Sequence, residues 1–334
     1  MFDFKLTVRS GAAALALAAV AAMATLAAGP AAADYPTKPV TLVSPYGPGG
    51  AADLAARTIS ATAPGYLGNG VLVVNRTGAA GVTGSTSVVK GRKDGYTLLL
   101  ARVGSQAAVP ALNRKIPYRW DEYTFLGLLE LNPFVLVVNA DSPYRNLDDL
   151  KAAVAAGAKL SYSSAGVGTL LHVAMVMTLD EFGLPQEAMK HVPYKGGGKA
   201  AAALVGGHVD AMFQNLSGVI GNIQAGKLRA LAVTTPKRVL SINDVPTVAE
   251  AGYPNLQTIV GWSGIWGPPG LPDEVVDKWV AVLDQLKTDA AWNKLTRGLG
   301  SVPSIRAPAE TKAFVKAQYE TFKELTERLG MTIR

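Results

Sequence analysis

The sequence predicts an α/β protein of two lobes, each a mixed β-sheet flanked by helices, with a ligand cleft between them. Three observations predict it. Short apolar runs alternate with helical stretches after the first 33 residues, the pattern of sheets covered by helices. Residues 34–334 suit two domains at ~100–200 residues each. Two apolar segments, 131–138 and 260–269, read as crossings at which the chain leaves one lobe and later returns. On this reading residues 34–131 and 260–334 form a first, discontinuous lobe, and residues 132–259 a second.

Residues 1–33 read as a signal peptide. Lys5 and Arg9 precede an uncharged Ala/Leu/Val-rich stretch, and Ala31-Ala32-Ala33 before Asp34 supplies the small-residue cleavage pattern. The apolar stretch is short and alanine-rich for a membrane span, which needs ~20 strongly apolar residues. Cleavage near Ala33 and a periplasmic location are expected. Strands are then expected at 40–44, 71–75, 96–101, 134–139, 160–162, 209–213 and 228–234. Helices are expected at 51–63, 147–156, 169–180 and 199–205. The C-terminal part changes character. Residues 272–286 place Val275, Val276, Trp279, Leu283 and Leu286 near one helical face, and residues 309–329 do the same with Val315, Tyr319, Phe322 and Leu329.

Composition excludes several classes of function. The chain has no cysteine, which removes disulfides, thiolate catalysis, thiolate metal sites and a lipid-anchoring cysteine together. The formal charge is +7, but the basic residues are scattered. That suits a solvated surface or mild attraction of anions, and no nucleic acid is expected as a partner. The histidines are His172, His191 and His208, without the spacing of a metal site. No Gly-x-Ser-x-Gly elbow is present. No catalytic residue, metal or cofactor is expected, and the protein is read as a binding protein and not an enzyme.

The loops carry the functional signal. Ser44-Pro45-Tyr46-Gly47-Pro48-Gly49-Gly50-Ala51-Ala52-Asp53 joins a strand to a helix. Its glycines let backbone approach a ligand, and the free N–H groups of the following helix favour an anion by roughly 0.3–1 kcal/mol. Asn75-Arg76-Thr77-Gly78-Ala79-Ala80-Gly81 and Ser163-Ser164-Ala165-Gly166-Val167-Gly168-Thr169 repeat the arrangement. Val192-Pro193-Tyr194-Lys195-Gly196-Gly197-Gly198 places an aromatic beside another glycine run, and Met212-Phe213-Gln214-Asn215 ends a strand. In α/β sheets such strand-to-helix loops converge on the ligand.

These motifs resemble the substrate-binding receptors of tripartite tricarboxylate transporters, the Bug receptors. The match includes the Pro-Tyr-x-Pro-Gly-Gly-x-x-Asp loop at 45–53, Asp94-Gly95-Tyr96-Thr97-Leu98-Leu99, Ser164-x-Gly166-x-Gly168-Thr169-x-x-His172 and Val192-Pro193-Tyr194-Lys195-Gly196. It continues through Ala225-Gly226-Lys227-Leu228-Arg229-Ala230 and Val245-Pro246-Thr247-Val248-Ala249-Glu250-Ala251-Gly252-Tyr253-Pro254. The resemblance implies a periplasmic-binding-protein fold of class II type that closes like a flytrap. It also implies a small organic carboxylate as ligand, membrane transporter subunits as partners, and a monomer. It implies that the loops at 45–53 (Tyr46, Pro48, Gly49, Gly50, Asp53) and 76–84 (Gly78, Ala79, Ala80, Gly81) hold one carboxylate. The loop at 164–169 (Ser164, Gly166, Gly168, Thr169), with Tyr194, would hold the other end. Two positions depart from the family pattern. Gln214 with its neighbour Asn215 stands where an acid is common, which disfavours a ligand ammonium. Arg102 stands where a small polar residue is expected; it either pairs with a ligand carboxylate or points to solvent or an internal acid. Together these point to a di- or tricarboxylate or an aromatic acid. A sensory or scavenging receptor is the competing reading.

Overall fold

The computed structural model describes residues 34–331; the signal peptide read at 1–33 lies outside them. Strands form where β-branched and leucine runs cluster: β1 (Val40–Ser44), β2 (Val71–Asn75), β3 (Thr97–Arg102) and β4 (Thr124–Asn132). They continue with β5 (Phe134–Asn139), β6 (Ser161–Ser164), β7 (Lys190–Pro193), β8 (Ala211–Asn215) and β9 (Leu228–Val233). The last two are β10 (Gly261–Gly267) and β11 (Val302–Arg306).

The strands divide into two mixed sheets. The first has six strands in the order β11-β4-β10-β3-β1-β2, and the second five in the order β7-β6-β8-β5-β9. In the first, β1 is parallel to β2 and β3, while β10 runs antiparallel to β3 and β4. In the second, β6 is parallel to β7 and β8, while β5 is antiparallel to β8 and β9. The parallel halves present several strand C-termini, each followed by a helix, and these are the ends that carry the glycine-rich loops. From Lys38 onward the chain is one compact unit, and no helix among the described residues is long and apolar enough to cross a membrane.

Only Pro133 separates β4 from β5, so the chain passes between sheets within one residue. The return runs from Thr234 to Val260. The two passages lie side by side: the Thr234 N–H donates to the Phe134 carbonyl at 2.9 Å, and the Thr234 hydroxyl to the Ile259 carbonyl at 2.8 Å. The expected second crossing at 260–269 is therefore displaced. Residues 261–267 are β10, in the interior of the first sheet, with Trp262 and Trp266 fully buried. Its glycines and tryptophans hid the strand, and the glycines have a reason: a Cβ at Gly264 would meet the Gly127 carbonyl oxygen of β4 at 2.9 Å.

Two C-terminal helices cover the first sheet. The Asp273–Leu286 helix buries Val275, Trp279, Val282, Leu283 and Leu286, with Val282 in place of the expected Val276. The Pro308–Arg328 helix buries Val315 and Phe322, while Tyr319 is half-buried and stacks on Trp120 at 5.5 Å.

Candidate ligand-binding site

The 45–53 loop is braced by its own side chains. Asp53 sits in the first turn of the Ala51–Thr62 helix, where an acid suits the helix dipole. Its carboxylate accepts from the Gly49 N–H at 3.0 Å, from Arg57 at 2.9 Å and from Asn75 at 3.0 Å. Burial pushes its pKa up, but these hydrogen bonds outweigh burial and hold it below the ordinary carboxylate value. Asp53 thus holds the loop. Pro48 and Gly49 lie at its exposed tip and meet the backbone of Gly198 across the cleft.

Tyr46 divides the cleft in two. Its hydroxyl donates to the Ala80 carbonyl at 3.0 Å, and its ring lies against Gly81 and Gly104, where a Cβ would clash. Burial drives the hydroxyl far above its usual range, although Arg102 pulls the other way. Behind Tyr46 is an inner chamber of about 40 Å³; in front is an outer cleft of about 580 Å³, and both are walled by Tyr46 and Ala165.

Three helix N-termini line the inner chamber. They are Gly50, Ala51 and Ala52 of the Ala51–Thr62 helix, Thr169, Leu170 and Leu171 of the Leu170–Glu181 helix, and Gly197 of the Gly197–Val205 helix. None of the three has a side-chain cap. Their first-turn N–H groups have no partner within the helix, and each end carries a partial positive charge. Arg102, Gln214 and Asn215 complete the wall with Phe134. A water needs ~10–15 Å³ by the same measure, so the chamber is the size of a few waters or of one carboxylate group.

Arg102 is buried and its charge is answered from within. Ser263 of β10 is in register with Arg102 on one side and Glu130 on the other, so the three stand abreast on adjacent strands. The guanidinium donates to Ser263 Oγ at 2.6 Å and to Asn215 Oδ1 at 3.0 Å, and Glu130 Oε1 lies 3.6 Å away. Burial lowers the Arg102 pKa, and Glu130 and Tyr46 counter it. Arg102 therefore lines the chamber and pairs with an internal acid at once. It also ties the first sheet to the second through Asn215, whose Nδ2 is buried without a partner among the described residues. Gln214 Oε1 accepts from the Asn215 N–H at 2.9 Å and its Nε2 donates to the Gly197 carbonyl at 3.1 Å.

The outer cleft is lined by the 77–82 loop, by Ala165, Gly166, Val167 and Gly168, by Tyr194, and by Lys115 and Lys195. The loop at 78–81 has four successive residues at positive φ: Gly78 (140°), Ala79 (44°), Ala80 (56°) and Gly81 (94°). Such a conformation costs of order 1–3 kcal/mol for a residue with a Cβ, and it is what turns the Ala80 carbonyl to Tyr46.

The structure thus brings Tyr46, Gly50, Arg102, Thr169, Gln214 and Asn215 to the inner chamber. Gly78, Ala79, Ala80, Gly81, Gly166, Gly168 and Tyr194 reach the outer cleft. Pro48, Gly49, Asp53 and Ser164 line neither. The hydroxyls expected to cap a ligand at 164–169 are used inside the loop: those of Ser164 and Thr169 both donate to the Gly166 carbonyl, at 3.0 and 2.8 Å. Gly197 lies within the 192–198 loop that the sequence singles out, and Leu170 is within reach of sequence reasoning because it follows Thr169. Lys115 gave no signal.

Residues 55–331 match the family model described as "Tripartite tricarboxylate transporter family receptor". A protein of the tcbD-tcbE intergenic region of Pseudomonas sp. strain P51 is 34% identical over 294 residues, 87% of this chain and 86% of that one. The protein BugT of Bordetella pertussis is 30% identical over 314 residues, covering 92% and 94%. Among solved structures, the periplasmic binding protein BugD superposes with a TM-score of 0.85 at 31% identity, over 90% of this chain and 100% of that one. MatC of Rhodopseudomonas palustris with bound malate gives 0.82 at 28%, covering 87% and 99%. Rpa4515 of R. palustris with adipate gives 0.83 at 28%, covering 89% and 99%. With two mixed sheets, loops converging at strand ends and a family model spanning most of its length, this chain belongs to the tripartite tricarboxylate transporter receptors, periplasmic solute-binding proteins and not enzymes.

Proposed function

We propose that this receptor captures a linear dicarboxylate, with one carboxylate in the inner chamber and the other end directed past Tyr46 into the outer cleft. It then delivers the ligand to the membrane subunits of a tripartite tricarboxylate transporter. The observation that carries this reading is the convergence of three uncapped helix N-termini on a small chamber walled by Arg102. Each N-terminus contributes ~0.3–1 kcal/mol toward an anion at an exposed surface and more when partly buried. Micromolar binding needs about −8 kcal/mol, so these ends act together with burial. The malate and adipate held by similar receptors are dicarboxylates, which supports the class.

The chamber's size favours a carboxylate on a flexible chain over an aromatic acid. An α-amino acid is disfavoured because the nearby acids are engaged: Asp53 with its own loop, Glu130 with Arg102 and Ser263. In the same proposal the receptor works as a monomer after cleavage near Ala33, and its lobes, residues 34–131 with 260–334 and residues 132–259, close about Pro133 and the 234–260 passage. The test is calorimetry of the mature protein with malate, adipate, citrate, benzoate, glutamate and glucose. Malate or adipate should bind best, and small-angle scattering should show compaction on binding. Binding of glucose alone would overturn the carboxylate reading.

A further inference from the structure

Behind the 164–169 loop stand three stacked rings that ligand contact does not explain. His172 lies in the first turn of the Leu170–Glu181 helix, His191 on β7 and Tyr162 on β6. The imidazoles are 4.1 Å apart and within 10° of parallel; Tyr162 stacks on His191 at 4.9 Å and 16°. Each imidazole takes hold of the loop. His172 Nδ1 accepts the Gly168 N–H at 3.1 Å. His191 Nε2 lies 2.6 Å from the Ser164 hydroxyl, the same hydroxyl that accepts from the Gly166 N–H and donates to the Gly166 carbonyl.

A ring nitrogen that accepts from an amide carries no proton, so His172 is neutral in this arrangement. The surroundings favour neutrality. Burial lowers the pKa of both imidazoles to about 4, and for His191 the nearness of His172 adds to it. On β6 the facing titratable group is Tyr162, whose hydroxyl burial pushes up. On β7 it is the exposed Lys190; on the helix, Asp180 and Glu181 stand at the far end. Among the described residues no carboxylate counts among the causes acting on either ring. Packing alone would be satisfied by phenylalanine or leucine; the two hydrogen bonds require ring nitrogens at defined positions, His172 Nδ1 as acceptor and, because the one hydrogen of the Ser164 hydroxyl goes to Gly166, His191 Nε2–H as donor.

We propose that His172 and His191 are positioning residues for ligand capture: as a neutral pair they hold Gly166 and Gly168 in the left-handed backbone that aims this loop into the cleft. Gly166 has φ 137° and Gly168 φ 76°. Protonation of His172 would set an imidazolium N–H against the Gly168 N–H, and the loop would have to move. The proposal rests on the carboxylate reading for its ligand and on loop geometry alone for its mechanism.

The experiment measures amide hydrogen-exchange protection of Gly168 without ligand, and calorimetry with malate and adipate, for wild type, His172→Asn and His172→Leu. Asparagine places an acceptor where Nδ1 lies; leucine does not. Protection should be retained in His172→Asn. In His172→Leu it should fall about tenfold, with a similar loss of affinity, the scale of one hydrogen bond to a buried amide. As pH falls from 6.5 toward about 4, wild-type protection should decline while that of His172→Asn holds. His191→Gln and His191→Leu repeat the comparison at Gly166. Leu and Asn variants that behave alike at unchanged melting temperature would overturn the proposal. If His172→Leu does not fold, a wild-type-like pH response in His172→Asn overturns it as well. If wild type binds neither malate nor adipate, the carboxylate reading fails, and exchange at Gly168 still decides the loop mechanism.

Discussion

The inner chamber encloses about 40 Å³ behind Tyr46, the outer cleft about 580 Å³ in front of it, and the two hold positive charge in different ways. In the inner chamber the charge is buried: helix ends and an arginine whose neighbours fix it on three sides. In the outer cleft it is carried by Lys115 and Lys195 on the exposed rim. The same unit charge acts several-fold more strongly out of water than at a surface screened by salt. On the proposed reading, the difference assigns grip to the inner chamber and leaves the outer cleft to accommodate what is attached to the gripped carboxylate.

The sharpest way to break this contrast is at Arg102. Arg102→Met leaves Glu130 buried without its cation. Breaking such a pair costs ~3–5 kcal/mol, and malate or adipate affinity should fall by more than ~100-fold, at ~1.4 kcal/mol per decade. Adding Glu130→Gln should restore the melting temperature but not the affinity; a double variant that binds normally would move the grip elsewhere. Gln214→Glu comes next. It sets a second anion beside the ligand carboxylate, and like-charge juxtaposition costs several kcal/mol, so calorimetry should show a loss of about 10- to 100-fold; the melting temperature should fall as well, because the buried Gln214 Nε2 loses its bond to the Gly197 carbonyl.

Gly198→Ala acts on closure. Its methyl would stand 2.5 Å from the Pro48 carbonyl oxygen, which forces the lobes apart. If the closed state falls to a tenth, apparent affinity falls about tenfold, and scattering should show a larger ligand-bound particle. Lys195→Ala and Lys115→Ala should be the mildest, about two- to threefold each and vanishing at high salt. A rim lysine whose removal matches that of Arg102 would erase the distinction between the chambers.

Much of this architecture was legible locally. Strands β1, β2 and β5 fall where the apolar runs place them, because each is bounded by its own turn residues. The glycine-rich loops were legible as places of close backbone approach, since only small residues tolerate those conformations. What escaped was set by distant partners. Glu130 is 28 positions from Arg102 in sequence, and only the register of β10 between β3 and β4 brings them together. Ser164 and Thr169 were readable as hydroxyls at a loop, yet where their hydrogens go depends on the path of the Gly166 carbonyl. Asp53 reads equally well as a ligand contact or a loop brace until Arg57 and Asn75 are placed around it.

The seam along which the lobes meet is written in glycine. Gly47 faces Gly196, with no room for a Cβ at either, and Gly50 faces Gly198 at the first turns of their helices. Main chain meets main chain there, so the closing surface does not depend on side-chain identity. A receptor built this way can exchange residues that wall its inner chamber, such as Arg102 or Gln214, while the hand that shuts on the ligand stays the same. One scaffold can then diversify across many acids by substitution at a few buried positions.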